Sequence, residues 1–223
     1  MPIASYIDHT LLKQTTTGSE IITLCAEAKE YGFAAVCIPP VHVKEAIKAL
    51  EGSDVKVATV IGFPFGYNYI TTKATEAQQA VEEGAQELDM VMNVSALKNK
   101  DYALLEEEVQ TILAIAKNKG SALKVIIESG VLSNEEIIRC CELYRQFDIN
   151  FLKTSTGYAE KGASVEAVQL MRQHLPSSIQ IKASGGIRTF EFANQLIMAG
   201  ATRIGCSASI AITKGEDAGI GNY

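Results

Sequence analysis

Two lysines follow neighbouring apolar runs in the second half of the chain. Lys153 comes directly after Ile149–Leu152, and Lys182 comes directly after Ile179–Ile181. A free lysine has a pKa of ~10.4, but burial and a second ammonium nearby both disfavour its charged form. A neutral lysine attacks a carbonyl and forms a Schiff base, which acts as an electron sink for making or breaking a carbon–carbon bond. Most lysines are solvated surface groups, so this hypothesis depends on the pair rather than on either lysine alone.

Asp89 lies inside another apolar run, Glu87–Met92. Its carboxylate can pair with a lysine and relay protons, which is the assistance that Schiff-base chemistry requires. The alternative is a structural carboxylate that only accepts hydrogen bonds. An acidic residue within an apolar segment is costly to bury without a partner, so the catalytic and the structural interpretation of Asp89 both stay open.

Glycines follow the last three apolar runs of the chain. Glycine lets backbone N–H groups approach an anion closely, and barrels often bind phosphate with the loops after strands seven and eight. Turn formation explains any one of these glycines, but their convergence in three loops favours phosphate. The candidate phosphate ligands are Gly157, Gly185, Gly186, Gly205, Arg188 and Ser207.

Composition excludes several classes of protein. The chain has 223 residues, with 20 Lys and Arg against 26 Asp and Glu, so its formal net charge is −6. A duplex-binding protein usually carries a basic footprint, so nucleic acid is not the expected partner. No stretch approaches the ~18 apolar residues of a membrane span, and the N-terminus lacks a signal-peptide pattern. The five cysteines form no CxxC pair, and no His, Asp and Glu set has metal-ligand spacing, so we expect a cytoplasmic protein without a metal.

The order of apolar runs predicts the fold. Eight runs, rich in Val and Ile as in strands buried on both faces, alternate with helical patterns and no linker divides the chain. The predicted strands are Ile3–Ile7, Phe33–Ile38, Val55–Ile61, Glu87–Met92, Leu123–Ile127, Ile149–Leu152, Ile179–Ile181 and Thr202–Gly205. We therefore predict an α/β fold, a single-domain (β/α)8 TIM barrel over residues 1–223. A doubly wound sheet is the alternative, but it normally has a glycine-rich turn after its first strand, where this chain has none.

Helix signals separate the predicted strands. Thr17 with Glu20, and Ser133 with Glu136, have the spacing of a capping box, and Gly32 stands where a left-handed C-cap is expected. In a TIM barrel the reaction site lies at the carboxyl ends of the strands, which is where the two lysines are expected.

Four segments together resemble the 2-deoxyribose-5-phosphate aldolases, a family of class I aldolases, and the resemblance extends over essentially the whole chain. Lys153 in its Lys-Thr-Ser-Thr-Gly setting is the most specific match. The segments are Ile61-Gly-Phe-Pro-Phe-Gly66, Glu87-Leu-Asp-Met-Val91, Phe151-Leu-Lys-Thr-Ser-Thr-Gly157 and Lys182-Ala-Ser-Gly-Gly-Ile-Arg188. The resemblance implies a barrel that cleaves 2-deoxy-D-ribose 5-phosphate reversibly to D-glyceraldehyde 3-phosphate and acetaldehyde, in deoxynucleoside breakdown.

The resemblance also implies roles for individual residues. Lys153 is then the Schiff-base lysine, Lys182 perturbs it and transfers protons, and Asp89 completes the relay. Tyr223, at the end of the chain, is a further catalytic candidate, because some relatives end in a tyrosine that folds over the site. No cofactor is expected, and we expect a homodimer. The remaining predicted substrate contacts are Asp8, Thr10, Cys37, Thr156 and Ile187.

Two residues depart from the family pattern. Tyr158 stands where some relatives carry a lysine that can help to bind phosphate, and Ala208 stands where a second serine is common. Both changes weaken the phosphate prediction rather than the reaction. Three alternatives remain open at this stage: a phosphate-binding barrel isomerase, a Schiff-base aldolase for a different sugar, and a sugar-phosphate binding protein without activity.

Overall fold

Short strands alternate with helices along residues 2–216, the part of the chain that the computed structural model describes. The strands are β1 Ile7–Thr10, β2 Ala35–Ile38, β3 Lys56–Ile61, β4 Glu87–Val91, β5 Ala122–Ile126, β6 Phe151–Lys153, β7 Gln180–Ser184 and β8 Arg203–Cys206. The helices are α1 Gly18–Tyr31, α2 Val43–Ala49, α3 Ile70–Glu82, α4 Val94–Lys98, α5 Tyr102–Lys119, α6 Asn134–Tyr144, α7 Val165–His174, α8 Phe190–Met198 and α9 Ser209–Lys214.

The strands form one closed parallel barrel. Each strand pairs with the next in chain order, and β8 pairs with β1. The register sets Asp89 opposite Lys124 and Lys153 opposite Lys182. The predicted (β/α)8 TIM barrel is therefore confirmed. Because every strand is parallel, all the carboxyl ends meet at one mouth of the barrel.

The helices begin and end where the local sequence predicts. Thr17 and Ser133 each accept a hydrogen bond from the backbone N–H of the residue three positions on, and the glutamate there completes both capping boxes. Gly32 ends α1 in the left-handed conformation, at φ 65°. The buried face of α1 packs onto the barrel through Ile21 and its neighbours at helical spacing. These helices cover the outside of the barrel and leave its mouth to the loops.

The predicted position of the first strand is wrong. Ile3–Tyr6 forms a 3₁₀ helix whose apolar side chains pack against the core, and the strand is Ile7–Thr10 instead. Pairing with β2 begins only at Asp8, which lies opposite Ala35. Because the strand is shifted, Asp8 becomes an interior residue rather than one that follows the strand.

The seventh strand is longer than its apolar run. Pairing continues from Gln180 to Ser184, so Lys182 lies within β7 and not after it. The end of an apolar run coincides with the end of a strand only where the polar residues that follow point away from the protein interior. Here the interior itself is charged, so a polar residue does not end the strand.

Within residues 2–216 no helix is long and apolar enough to cross a membrane. The same part of the chain contains no group of three or more His, Cys, Asp and Glu side chains arranged to hold a metal ion. The five cysteines are buried and unpaired.

A glycine in the loop after β3 tests the close packing at the barrel mouth. Gly66 has φ 73°, and a Cβ placed there would lie 2.1 Å from the carbonyl oxygen of Met92. Gly120 has almost the same φ, 71°, but open space around its Cβ position. In urea unfolding, Gly120→Ala should lose about 1 kcal/mol of unfolding free energy from left-handed strain. Gly66→Ala should lose roughly a further 1–3 kcal/mol from the clash, and equal losses in the two variants would contradict this packing.

Candidate active site

Charged side chains fill one part of the barrel interior. They come from alternate positions of β1, β4, β5, β6, β7 and β8, and most are almost completely buried. Small apolar residues of β2 and β3, such as Ala35 and Ala58, line the rest of the interior. The charged residues are Asp8, Glu87, Asp89, Lys124, Lys153, Lys182 and Arg203.

The carboxylate of Asp89 is the centre of this network. Its Oδ2 lies 2.6 Å from Nζ of Lys153 and 2.7 Å from Nζ of Lys182. Its Oδ1 lies 2.7 Å from Nζ of Lys124. Asp89 is 0% exposed, so three lysines from three consecutive strands share one dry carboxylate.

A second layer of ion pairs holds the other lysines in place. Lys182 donates a short hydrogen bond to Asp8, and Arg203 binds the other oxygen of Asp8 at 2.6 Å. Arg203 and Lys124 both bind Glu87, at 3.0 and 2.5 Å. Lys182 and Lys124 therefore each have a second carboxylate close by. Within residues 2–216, Lys153 has an ion pair to Asp89 alone.

The charges in this network do not balance if every group is ionised. Among the described residues, three carboxylates (Asp8, Glu87 and Asp89) face four cationic side chains. Unpaired charge is expensive in a dry interior, so the network is neutral when one lysine loses its proton. Lys153 is the lysine with the fewest anionic partners.

The pKa values of the lysines shift in opposite directions. Burial lowers the pKa of Lys153, and the ammonium of Lys182 lowers it further, against the opposing effect of Asp89. Burial also acts to lower the pKa of Lys182, but Asp8 and Asp89 outweigh it and hold that pKa well above its ordinary value. The pKa of Lys124 is raised in the same way, because Asp89 and Glu87 outweigh burial. The cluster therefore favours a free amine at Lys153 and ammonium at the other two lysines.

The carboxylates of Asp8 and Asp89 stay ionised in this setting. Burial alone would raise the pKa of Asp89, but Lys124, Lys153 and Lys182 together hold it well below the ordinary value. The pKa of Asp8 is lowered against the same cost of burial, by Lys182, Arg203 and Lys124. A proton on either Lys153 or Lys182 lies next to the same Oδ2 of Asp89. The arrangement can therefore pass a proton between a nucleophilic amine and a permanent ammonium.

Two small residues lie beside the lysines. A Cβ at Gly205 would lie 3.0 Å from Cε of Lys182, so the absence of a side chain in β8 makes room for this lysine. Cys37 contacts Oδ2 of Asp89 through its thiol at 3.9 Å, and burial raises the pKa of that thiol. Cys37 therefore lines the interior as a neutral group. The amide of Gly205 as a phosphate ligand stays a prediction.

The other predicted ligands surround the mouth. Gly157, Gly185, Gly186 and Arg188 line a cavity of about 250 Å³, and Arg188 also lines a neighbouring cavity of about 550 Å³ with Thr10 and Ser207. Within residues 2–216 no ion pair to Arg188 is found. The side chain of Ile187 is buried in the core, which leaves only its backbone to face a ligand. Tyr223 lies outside the described residues.

Comparison with known proteins agrees with this geometry. The model of the DeoC/LacD family of aldolases matches residues 3–215. The chain belongs to the DeoC/LacD aldolase family. A deoxyribose-phosphate aldolase of Thermoanaerobacter sp. (strain X514) is 50% identical over 215 residues, 96% of each chain. One of Clostridium novyi (strain NT) is 48% identical over 222 residues, 98% of this chain and all of that one. The tetrameric deoxyribose phosphate aldolase of Aeropyrum pernix has a TM-score of 0.89 at 33% identity, covering 95% of this chain and 89% of that one.

Lys124 is a member of this aldolase's ion network that the sequence analysis missed. It lies within the apolar run Leu123–Ile127 and directly opposite Asp89 in the pairing of β4 with β5. A lysine inside a buried strand requires a carboxylate partner, so its position was a usable signal. Arg203 and Glu87, at the starts of β8 and β4, were missed because either could equally be a solvated residue at a strand end.

Glu128 was also missed, and it fixes the loop that follows the candidate Schiff-base lysine of this aldolase. Its carboxylate accepts hydrogen bonds from the backbone N–H of Thr156, at 3.2 Å, and from the Thr156 hydroxyl. Glu128 is buried, which raises its pKa, and its backbone is left-handed at φ 54°. No sequence pattern indicates this contact, because it depends on the conformations of two loops.

The lysine pair makes a testable electrostatic prediction. In Lys182→Met, the repulsion that lowers the pKa of Lys153 is lost and Asp89 becomes freer to hold the Lys153 ammonium, so that pKa rises. Trapping of an aldehyde on Lys153 by borohydride should therefore need a higher pH, with its midpoint displaced upward. The assay is trapping rate against pH, measured by intact mass.

Lys182→Arg is the matched control for this prediction, because it keeps the positive charge. Its midpoint should stay near that of the unmodified protein even if turnover falls. A midpoint in Lys182→Met that does not differ from Lys182→Arg would contradict the electrostatic role of Lys182.

Proposed function

We propose that this aldolase reversibly cleaves 2-deoxy-D-ribose 5-phosphate to D-glyceraldehyde 3-phosphate and acetaldehyde through a Schiff base on Lys153. The observation that carries the proposal is that the pKa values of Lys153 and Lys182 shift in opposite directions, which favours a neutral amine on Lys153 and an ammonium on Lys182. Their Nζ atoms lie 2.6 and 2.7 Å from the same oxygen of Asp89. The names of the relatives at 48–50% identity support the substrate.

In the first step Lys153 attacks the aldehyde. The lone pair of Nζ forms a bond to C1 of the open-chain sugar, and the resulting carbinolamine loses water to give the imine. The oxygen of C1 needs a proton to leave as water. Lys182 is the ammonium nearest to this point and donates that proton. The attacking Nζ of Lys153 releases a proton of its own, and Oδ2 of Asp89, which contacts both nitrogens, is placed to carry it to Lys182. The barrel interior keeps bulk water away from the imine, because Lys153 is only 2% exposed.

In the second step the protonated imine accepts electrons. The C3 hydroxyl loses its proton to the relay of Asp89 and Lys182, the bond between C2 and C3 breaks, and its electron pair forms the enamine. D-glyceraldehyde 3-phosphate leaves. The enamine then takes a proton at C2, and water hydrolyses the imine to release acetaldehyde and the free Lys153 amine. We propose Tyr223 as an additional acid–base group for the proton at C2, on the family resemblance alone.

The substrate phosphate is the group that distinguishes this function from that of an aldolase for a neutral aldehyde. Gly185 and Gly186 both have positive φ, 90° and 75°, a conformation that exposes backbone N–H groups to an anion. Arg188 adds a guanidinium at the border between the two mouth cavities. We assign the phosphate to this corner of the mouth.

We also propose a homodimer and a cytoplasmic location. Most soluble oligomers have two-fold symmetry, which supports the dimer. Tetramer formation is described for the Aeropyrum pernix relative and is a property of that protein. The absence of a disulfide framework among the five cysteines supports a reducing compartment.

Replacing the nucleophile tests the proposed reaction. Lys153→Ala should lower kcat/KM for cleavage of 2-deoxy-D-ribose 5-phosphate by at least ~10³-fold, about 4 kcal/mol of transition-state stabilisation, and should abolish borohydride trapping of acetaldehyde. Lys153→Arg should not rescue either, because guanidinium stays protonated. Lys44→Ala, at a lysine side chain that is 73% exposed, is the control and should behave like the unmodified protein. Trapping of acetaldehyde by Lys153→Ala would place the nucleophile elsewhere.

Removing the phosphate tests the substrate assignment. Two charge-assisted hydrogen bonds of about 1.5–3 kcal/mol each predict that kcat/KM for 2-deoxyribose is lower by roughly 10²-fold or more than for its 5-phosphate. Arg188→Met should lower kcat/KM for the phosphorylated sugar and leave the value for 2-deoxyribose nearly unchanged. Equal values of kcat/KM for the two sugars would remove the phosphate site from the mechanism.

A further inference from the structure

The side chain of Lys153 is almost completely buried from solvent, although the proposed function requires it to react with an aldehyde. Its side chain is 3% exposed, and the barrel closes around it on the side of β1, β2 and β3 with apolar residues such as Leu12 and Val60. An incoming carbonyl carbon has to come within bonding distance of Nζ. The route to Nζ therefore leads through the barrel mouth, where a side chain of the loop after β6 crosses the opening.

Tyr158 joins loops from distant parts of the barrel. Its hydroxyl donates a hydrogen bond of 2.6 Å to the carbonyl oxygen of Leu12, in the loop after β1. Its ring packs edge-on against Phe63, in the loop after β3, with the centroids 5.3 Å apart. In the order of the closed barrel, β6 lies three strands from β1 and three from β3. The side chain thus spans the opening rather than lying along its rim.

The segment that carries Tyr158 has a fixed base. Thr156 is buried and bound to Glu128 through both its backbone N–H and its hydroxyl, and its hydroxyl oxygen accepts from the backbone N–H of Tyr158 at 3.1 Å. Gly157 lies between them with φ 93°, a conformation that favours glycine. The segment therefore has an anchor at Thr156, a pivot at Gly157 and a latch at the Tyr158 hydroxyl.

Space for movement lies next to the ring. A cavity of about 250 Å³ adjoins Tyr158 and is lined on its outer side by Phe65, Tyr67 and Val131, which are themselves well exposed. This cavity is the space that the ring of Tyr158 would enter if the hydrogen bond to Leu12 opened.

From this geometry we propose that Tyr158 is the gate of the barrel mouth and determines the size of aldehyde that reaches Lys153. The inference rests on the proposed Schiff-base function and adds a specificity-determining residue to it. With the latch closed, the opening admits small or linear aldehydes such as acetaldehyde or an extended sugar phosphate. It restricts aldehydes that carry a ring next to the carbonyl.

The test compares two aldehydes of different width. Acetaldehyde and benzaldehyde are each trapped with borohydride, and the modified Lys153 peptide is quantified by mass spectrometry over time. Tyr158→Phe removes the latch and keeps the ring, so the benzaldehyde rate divided by the acetaldehyde rate should rise about two- to tenfold, the range for one neutral hydrogen bond. Tyr158→Ala should raise the ratio further. Tyr69→Phe, at a tyrosine that is 84% exposed, is the matched control and should leave the ratio unchanged.

The ratio separates gating from general damage to the fold, because a destabilised barrel would change both rates together. A ratio in Tyr158→Phe equal to that in Tyr69→Phe would overturn the latch, and an unchanged ratio in Tyr158→Ala would overturn the gate altogether. If the unmodified protein traps acetaldehyde on Lys153, the proposed function stands whatever the ratio. If it traps no acetaldehyde there, the function and the gate are both wrong.

Discussion

The carboxylate of Asp89, shared by three lysines inside a dry barrel, is the interaction on which the rest of the structure depends. A lone ammonium at that depth would be far too costly, and so would a lone carboxylate. Each charge is tolerated only because the pairing of β4 with β5 and of β6 with β7 sets the groups within hydrogen-bond distance of one another. Gly205, which has no side chain, leaves the volume that the long side chain of Lys182 occupies.

The ion network matters for the chemistry of the site more than for the stability of the fold. A buried ion pair is weak evidence for stability, since its Coulombic attraction mainly offsets desolvation. The arrangement instead differentiates chemically identical side chains. Lys182 has two carboxylates within 4 Å and Lys124 has three, and these outweigh burial and raise the pKa of both lysines. Among the described residues Lys153 has an ion pair to Asp89 alone, so burial and the Lys182 ammonium lower its pKa. Arg203, at the start of β8, binds Asp8 and Glu87 and so holds both carboxylates beside the two permanent ammonium groups.

Most of the fold could be predicted from the sequence, because parallel strands buried on both faces leave apolar runs that helices separate. The exceptions are instructive. Ile3–Tyr6 has a strand-like composition but pairs with no strand, and β7 continues through Lys182 because its interior neighbours are charged. The grouping of Lys153, Lys182 and Asp89 followed from strand ends, whereas their roles remain predictions. The link from Glu128 to Tyr158 depends on the conformations of separate loops, which local patterns in the chain do not encode.

Direct titration of the three interior lysines is the measurement closest to the central claim. NMR of protein labelled at the lysine ε-carbon, with signals assigned from single lysine variants, follows each ammonium separately. The account predicts that Lys153 loses its proton first, with a pKa below the ordinary value of ~10.4, while Lys124 and Lys182 remain charged beyond it. Deprotonation of Lys182 before Lys153, or a pKa of Lys153 at or above the ordinary value, would contradict the account.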